Sequence, residues 1–302
     1  MNIYLPIAEM SVNVFAVLGL GAAAGMLSGM FGVGGGFLLT PLLIFMGVSP
    51  SVSVATSANQ IIASSVSGFV THWRRQNVDF KMGKYLLIGG VLGSTLGVAL
   101  FRWLKQIGHV DLVISLCYVI FLGFIGSVMA RESYHTLKKT GHKVSTRLDW
   151  SFVQNLPYKV EFPHSKITVS ALLPLIIGFF VGIMVSLMGI GGGFFLVPAM
   201  IYILGMPTAM VVGTSLFQII FITANVTLLQ AITTQTVDIL LALLLLSGSV
   251  FGAQYGIKLS AKLPAEYLRA LLAALVVGIA LKLAFGLFAV PSDIFAVSVM
   301  DD

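Results

Sequence analysis

Apolar residues in this chain run in blocks too long for strands or for one face of a soluble helix. Stretches near 12–31, 51–71, 83–101 and 110–130, and again near 170–188, 208–230, 236–257 and 266–288, approach the length of about 20 residues that a helix needs to cross a bilayer. Two further apolar pieces, 36–47 and 193–205, are too short to cross alone as straight helices, and each follows a triple glycine. The only substantial polar stretch is 131–166, which suits a solvated connector. The pattern predicts an all-α polytopic membrane protein. It divides into a first transmembrane unit over 12–130, a connector over 131–169, a second unit over 170–288 and a short tail over 289–302. Each unit holds four spans and one short broken or re-entrant helix.

The second unit is a copy of the first. Gly32-Val33-Gly34-Gly35-Gly36-Phe37 with Pro41 matches Gly189-Ile190-Gly191-Gly192-Gly193-Phe194 with Pro198, at an offset of 157. Thr56, Ser57 and Gln60 match Thr214, Ser215 and Gln218 at 158. Gln76, Val78 and Asp79 match Gln235, Val237 and Asp238 at 159, as do Gly89, Gly93 and Gly97 against Gly248, Gly252 and Gly256. Four blocks in one order point to duplication. If the copies are inverted, the segments 72–84, 131–166 and 258–269 share one side and hold 14 Lys/Arg against 2 opposite; if parallel, the division is 11 against 5. The positive-inside bias favours inversion, with both termini outside. Inversion needs an odd number of crossings before residue 72. Either the short segment crosses with tilt, or it pairs with the first run as a re-entrant hairpin; the sequence leaves both open.

Composition agrees with a lipid environment. Hydrophobic residues make up 58% of the chain and charged ones 9%, with a mean hydropathy of +1.01; a soluble domain keeps roughly a quarter of its residues charged. The net charge of +6 sits mostly between apolar blocks, where it sets orientation, and forms no basic face for nucleic acid. The partners implied are the bilayer and a small solute, with a homo-oligomer left open. The single cysteine, Cys117, permits no intrachain disulfide and no thiolate metal site. No Lys or Arg precedes the first apolar run, so that run reads as a retained span and not a cleaved signal. Nucleotide motifs are absent and no cofactor is expected. No paired carboxylates or nucleophile–base pair lies at membrane depth, which argues against an enzyme. Asp79, Asp111 and Asp238 all fall at segment edges, so no central carboxylate offers a proton relay. An anion leaving a cell needs none: about 100 mV, inside negative, favours its exit by about 2.3 kcal/mol per charge.

The candidate substrate site follows from these features. Gly34, Gly35 and Gly36 before Phe37, and Gly191, Gly192 and Gly193 before Phe194, would break a helix at membrane depth. Lipid cannot satisfy the freed backbone groups, so such breaks face protein or a watery cavity. A helix restarting there aims its positive end into that space, where an anion is favoured. The plainer reading is close helix packing through small residues. Thr56, Gln60 and Ser67 lie within roughly 40° on one helix face, and Thr214, Gln218 and Asn225 repeat the spacing. Hydroxyls and amides can bind an oxyanion without burying a full charge; Ser57 and Ser215 sit beside these stripes.

The run Gly25-Met26-Leu27-Ser28-Gly29-Met30-Phe31-Gly32-Val33-Gly34-Gly35-Gly36 through Pro41, with Ala55-Thr56-Ser57, resembles the sulfite exporter TauE/SafE permease family. Gly182 through Pro198, with Gly213-Thr214-Ser215, looks like its second copy, and Asn77-Val78-Asp79 after His72 is also similar. The second copy keeps Val237-Asp238 but lacks the Asn and the His. The resemblance implies export of sulfite or a short organosulfonate across a bacterial-type inner membrane. A channel or permease for another small solute is the alternative.

Overall fold

The computed structural model describes residues 2–31, 36–137, 157–165, 167–260 and 265–288. Among them each half opens with a β-hairpin and continues as five helices. The first half has β1 (Asn2–Leu5), β2 (Met10–Asn13), α1 (Val14–Phe31), α2 (Gly36–Phe45), α3 (Pro50–Arg74), α4 (Phe80–Ile107) and α5 (Val110–Leu137). The second has β3 (Lys159–Phe162), β4 (Ile167–Ser170), α6 (Leu172–Met188), α7 (Gly193–Tyr202), α8 (Thr208–Thr233), α9 (Ile239–Ser260) and α10 (Ala265–Phe288). All eight expected spans are helices. The two hairpins are additions to the all-α expectation, and β3–β4 occupies part of what reads in the sequence as a plain connector. The rest of that connector, 138–156 and 166, and the tail 289–302 lie outside the described residues.

Among the described residues, four helices are long and apolar enough to cross a membrane: Phe80–Ile107, Val110–Arg131, Met210–Thr233 and Ile239–Gly256. Their outward faces are apolar at helical spacing, with Ile88, Leu92 and Leu96 exposed on α4 and Leu112, Leu116, Ile120 and Phe124 on α5. Water would reject such a surface and lipid accepts it. Helix α3 is the exception. It is rich in Ser, Thr, Asn and Gln, and it is buried by Ser51, Ser53, Thr56, Ser57, Gln60 and Ser65. A polar helix is tolerated at membrane depth when other helices shield it.

Glycines set which helices pair. A Cβ on Gly21 or Gly25 of α1 would meet the backbone of Leu245 or Ser249 on α9, and one on Gly248, Gly252 or Gly256 of α9 would overlap Leu18, Ala22 or Met26. The same pattern joins α4 to α6: Gly89, Gly93 and Gly97 face Leu175, Phe179 and Ile183. Backbones can approach this closely only where side chains are missing. In both pairs the register rises together, so the helices run parallel. The first helix of each half therefore lies along the fourth helix of the other.

Helices α3 and α8 cross antiparallel at the centre. Thr214, near the start of α8, accepts the backbone N–H of Asp79 in the loop after α3 at 2.9 Å. Thr56, near the start of α3, accepts that of Asp238 in the loop after α8 at 3.1 Å. Both loops use the same turn, with Gln76 at φ +55° and Gln235 at φ +51°. The molecule thus has an Asp79 end and an Asp238 end, and each hairpin closes one of them. Ile7 N–H, in the β1–β2 turn, donates to Asp238 Oδ2 at 3.2 Å, and Ser165, in the β3–β4 turn, donates to Asp79 Oδ2 at 2.5 Å.

This geometry resolves the short helices. Helix α1 starts beside the β1–β2 hairpin at the Asp238 end, and α3 starts at that same end. The chain must leave and return between them: α1 runs out about 27 Å over 18 residues, and α2 comes back about 15 Å over 10. Helices α6 and α7 do likewise from the Asp79 end. The short segments are therefore the returning arms of helical hairpins.

Candidate functional site

The second-half break is left-handed at three glycines. Helix α6 ends at Met188, Gly189, Gly191 and Gly192 take φ of +64°, +76° and +77°, and Gly193 and Phe194 open α7. Side-chain-bearing residues avoid this region, so the glycines make the reversal. In the first half Gly36 and Phe37 open α2, while Gly34 and Gly35 lie outside the described residues. The two breaks meet on one side chain. A Cβ on Gly36 would overlap Ile61 Cδ1 and stand 3.1 Å from the Gly189 carbonyl oxygen; one on Gly191 would come within 2.6 Å of Ile61 Cγ2. Ile61 of α3 fills the space between the halves where both helices reverse.

Hydroxyls close the carbonyl end of α6. Tyr118 of α5 donates to the Met188 carbonyl. Thr40 and Ser57 lie 2.7 Å apart, and Ser57 reaches the Val54 carbonyl at 3.1 Å and the Gly189 carbonyl at 3.4 Å. In the second half Val197 takes the place of Thr40, and Ser215 donates only to Val212 O, at 2.9 Å. The halves share a scaffold and differ in polar lining.

The polar stripes divide by role. Thr56 and Thr214 hold the helix-starting aspartates, as described. Gly213 lies against the Asn77 carbonyl and His72, a closeness that excludes a side chain there. Gln60 and Gln218 are fully buried. Neither Nε2 nor Oε1 of Gln60 has a partner. Gln218 donates Nε2 to the Leu86 carbonyl at 3.1 Å and leaves Oε1 unpartnered. Asn225 donates to Ser94 at 2.9 Å and Thr95 at 3.2 Å, while Ser67 points to the exposed surface and leaves the stripe.

Sequence reasoning missed other members. Asp79 is 1% exposed and Asp238 fully buried, each starting a helix by accepting from Met82 or Leu241 at 3.0 Å. Their recurrence in the repeat was the available signal. Gln230, also fully buried, donates to the Ser186 carbonyl and leaves its oxygen unpartnered. Tyr118 and Thr40 carried no repeat signal, because the second half lacks them. Two surface pockets flank the centre. One, of about 520 Å³ at the Asp79 end, is lined by Trp73, Arg74, Gln76 and His164. The other, of about 480 Å³ on the α4–α8 side toward the Asp238 end, is lined by Thr95, Arg102, Gln106 and Thr233. Among the described residues no three metal-ligating side chains gather. Between the buried aspartates at its two ends the interior offers amides, hydroxyls and backbone dipoles, and an arginine lines each of these surface pockets.

Comparison with known proteins finds relatives named as membrane transporters. The family described as "Sulfite exporter TauE/SafE" matches residues 17–283. "Probable membrane transporter protein YjnA" of Bacillus subtilis (strain 168) is 30% identical over 246 residues, 80% of this chain and 87% of that protein. "Probable membrane transporter protein YunE" of the same organism is 30% identical over 256 residues, 81% and 87% of the two chains. "Sulfite exporter TauE/SafE family protein 3" of Arabidopsis thaliana is 32% identical over 107 residues, 35% of this chain and 22% of that one. No solved structure matches.

Proposed function

Because this chain belongs to the sulfite exporter TauE/SafE family, we propose that it exports a small oxyanion, sulfite or a short organosulfonate, through a site between its two halves. It is a membrane transporter and not an enzyme. In this reading the solute passes the glycines before Phe37 and Phe194 together with Ser57, Gln60, Ser215 and Gln218, while Thr56 and Thr214 hold Asp238 and Asp79 at the two ends of the pathway. The observation that carries this reading is Gln60, fully buried beside Ile61 with neither end of its amide paired. An unsatisfied buried polar group costs about 1–3 kcal/mol, a cost that a solute or water in transit would relieve.

The same reading makes the halves inverted repeats in an inner membrane. Antiparallel α3 and α8, exchanged by the Thr214–Asp79 and Thr56–Asp238 bonds, support it. A two-fold relation between antiparallel spans places the axis in the membrane plane. The Asp79 end, which carries Arg74, Arg75, Lys81 and Lys84, then faces the cytoplasm.

The test is flux in proteoliposomes loaded with sulfite, taurine, sulfoacetate, sulfate or chloride, at imposed potentials and pH gradients. Saturable flux of sulfite or a sulfonate is expected. Flux of chloride alone, without saturation, would replace this reading with an anion channel.

A further inference from the structure

Two glutamines of α8 leave an amide oxygen, and not a nitrogen, buried without a partner. Gln218 Nε2 meets the Leu86 carbonyl at 3.1 Å, a contact only the N–H side of an amide can make. Its Oε1 is thereby fixed as the buried, unpartnered end. Glycine permits this arrangement: a Cβ on Gly90 would stand 2.9 Å from Gln218 Nε2. Gln230 repeats the device nearer the Asp238 end, with Nε2 on the Ser186 carbonyl at 3.1 Å and Oε1 unpartnered. Gln60 on α3 has both ends free and so supplies a donor as well. Gln60 and Gln218 each lie about 15 Å from the start of their helix, one on each side of the crossing.

An anion without a hydrogen to give is repelled by the oxygen of Gln218, whereas one with its own O–H or N–H satisfies it. Charge matters as well: residues 50–71 of α3 and 208–233 of α8 contain no Lys, Arg, Asp or Glu. Neutral dipoles must do the solvating there, and the cost of burying charge rises steeply with its magnitude.

We propose that this site selects singly charged oxyanions carrying a hydrogen-bond donor, such as hydrogen sulfite or a hydroxysulfonate, and that Gln218 determines the selection. This rests on the export of an oxyanion proposed above. Dianions and donor-free sulfonates of the same size are discriminated against, because a site built to bond a hydroxyl rejects the analogue lacking it.

The experiment compares 2-hydroxyethanesulfonate with ethanesulfonate in proteoliposomes; the two carry equal charge and differ by one hydroxyl. Sulfite is the positive control. Wild-type flux of the hydroxylated anion is expected to exceed that of its partner at least tenfold. In Gln218→Met that ratio should fall below twofold. Equal wild-type fluxes would overturn the selection while leaving sulfite export intact, and a preference unchanged in Gln218→Met would remove Gln218 from it. Absence of flux for sulfite and both sulfonates would overturn the proposed function itself. If Gln218→Met is not monodisperse, the wild-type ratio alone decides.

Discussion

The hydroxyl of Thr214 accepts the backbone N–H of Asp79 at 2.9 Å, and this bond ties the start of α8 to the start of α4 in the other half. Its counterpart, Thr56 with Asp238, does the same at the opposite end at 3.1 Å. Each aspartate also holds the hairpin turn that closes its end. A single hydroxyl thus links a helix start, a loop and a hairpin drawn from both halves.

Removing either hydroxyl should therefore cost stability. Thr214→Val and Thr56→Val keep the shape and leave a buried N–H without an acceptor, a loss of ~1–3 kcal/mol each. Thermal unfolding of detergent-purified protein, followed by tryptophan fluorescence, should show both variants melting below wild type. Unchanged transitions in both would mean that the hairpins and helix starts hold without these bonds.

The helix pairs make a sharper demand on glycine. A Cβ on Gly93 would overlap the Phe179 carbonyl oxygen and one on Gly252 that of Ala22, both backbone atoms that cannot turn aside. Gly19 has nothing within 4 Å of its added Cβ. Gly93→Ala and Gly252→Ala should lose about 1–3 kcal/mol to overpacking and much of their monodisperse yield in size-exclusion chromatography. Gly19→Ala should match wild type. Equal yields for all three would contradict the parallel pairing of α1 with α9 and α4 with α6.

Orientation can be read by labelling. In a Cys117→Ala background, Thr140→Cys and Ser260→Cys should react with a membrane-impermeant reagent from one side, and Gln106→Cys from the other. Residues 140 and 260 on opposite sides would rule out inverted halves.

The spans and the duplication were legible because both are local: a long apolar block and a recurring spacing need no tertiary knowledge. Direction was not. Hydropathy measures length, so 36–47 could cross or return, and the return of α2 follows only from bonds such as that of Asp238 to Ile7, 231 residues away. The hairpins escaped notice because four-residue strands such as Asn2–Leu5 carry too short an alternation to stand out beside an apolar run. Asp79 and Asp238 were visible as segment edges. Their burial was not, since turns of distant hairpins cover them. Within the candidate site, Gln60 and Gln218 were found by repeat spacing, whereas Tyr118 and Thr40 break the repeat and show their role only through the Met188 carbonyl and the Ser57 hydroxyl that they respectively approach.

Sulfite efflux from proteoliposomes under an imposed inside-negative potential tests the central claim, a single site shared by both halves. Wild-type protein should give saturable efflux, and Gln60→Ala and Gln218→Ala should each reduce it about tenfold or more, the loss of one hydrogen bond between amide and charged solute, ~1.5–3 kcal/mol, with folded yield near normal. Wild-type flux in both variants would assign the two glutamines to packing and contradict a shared site between α3 and α8.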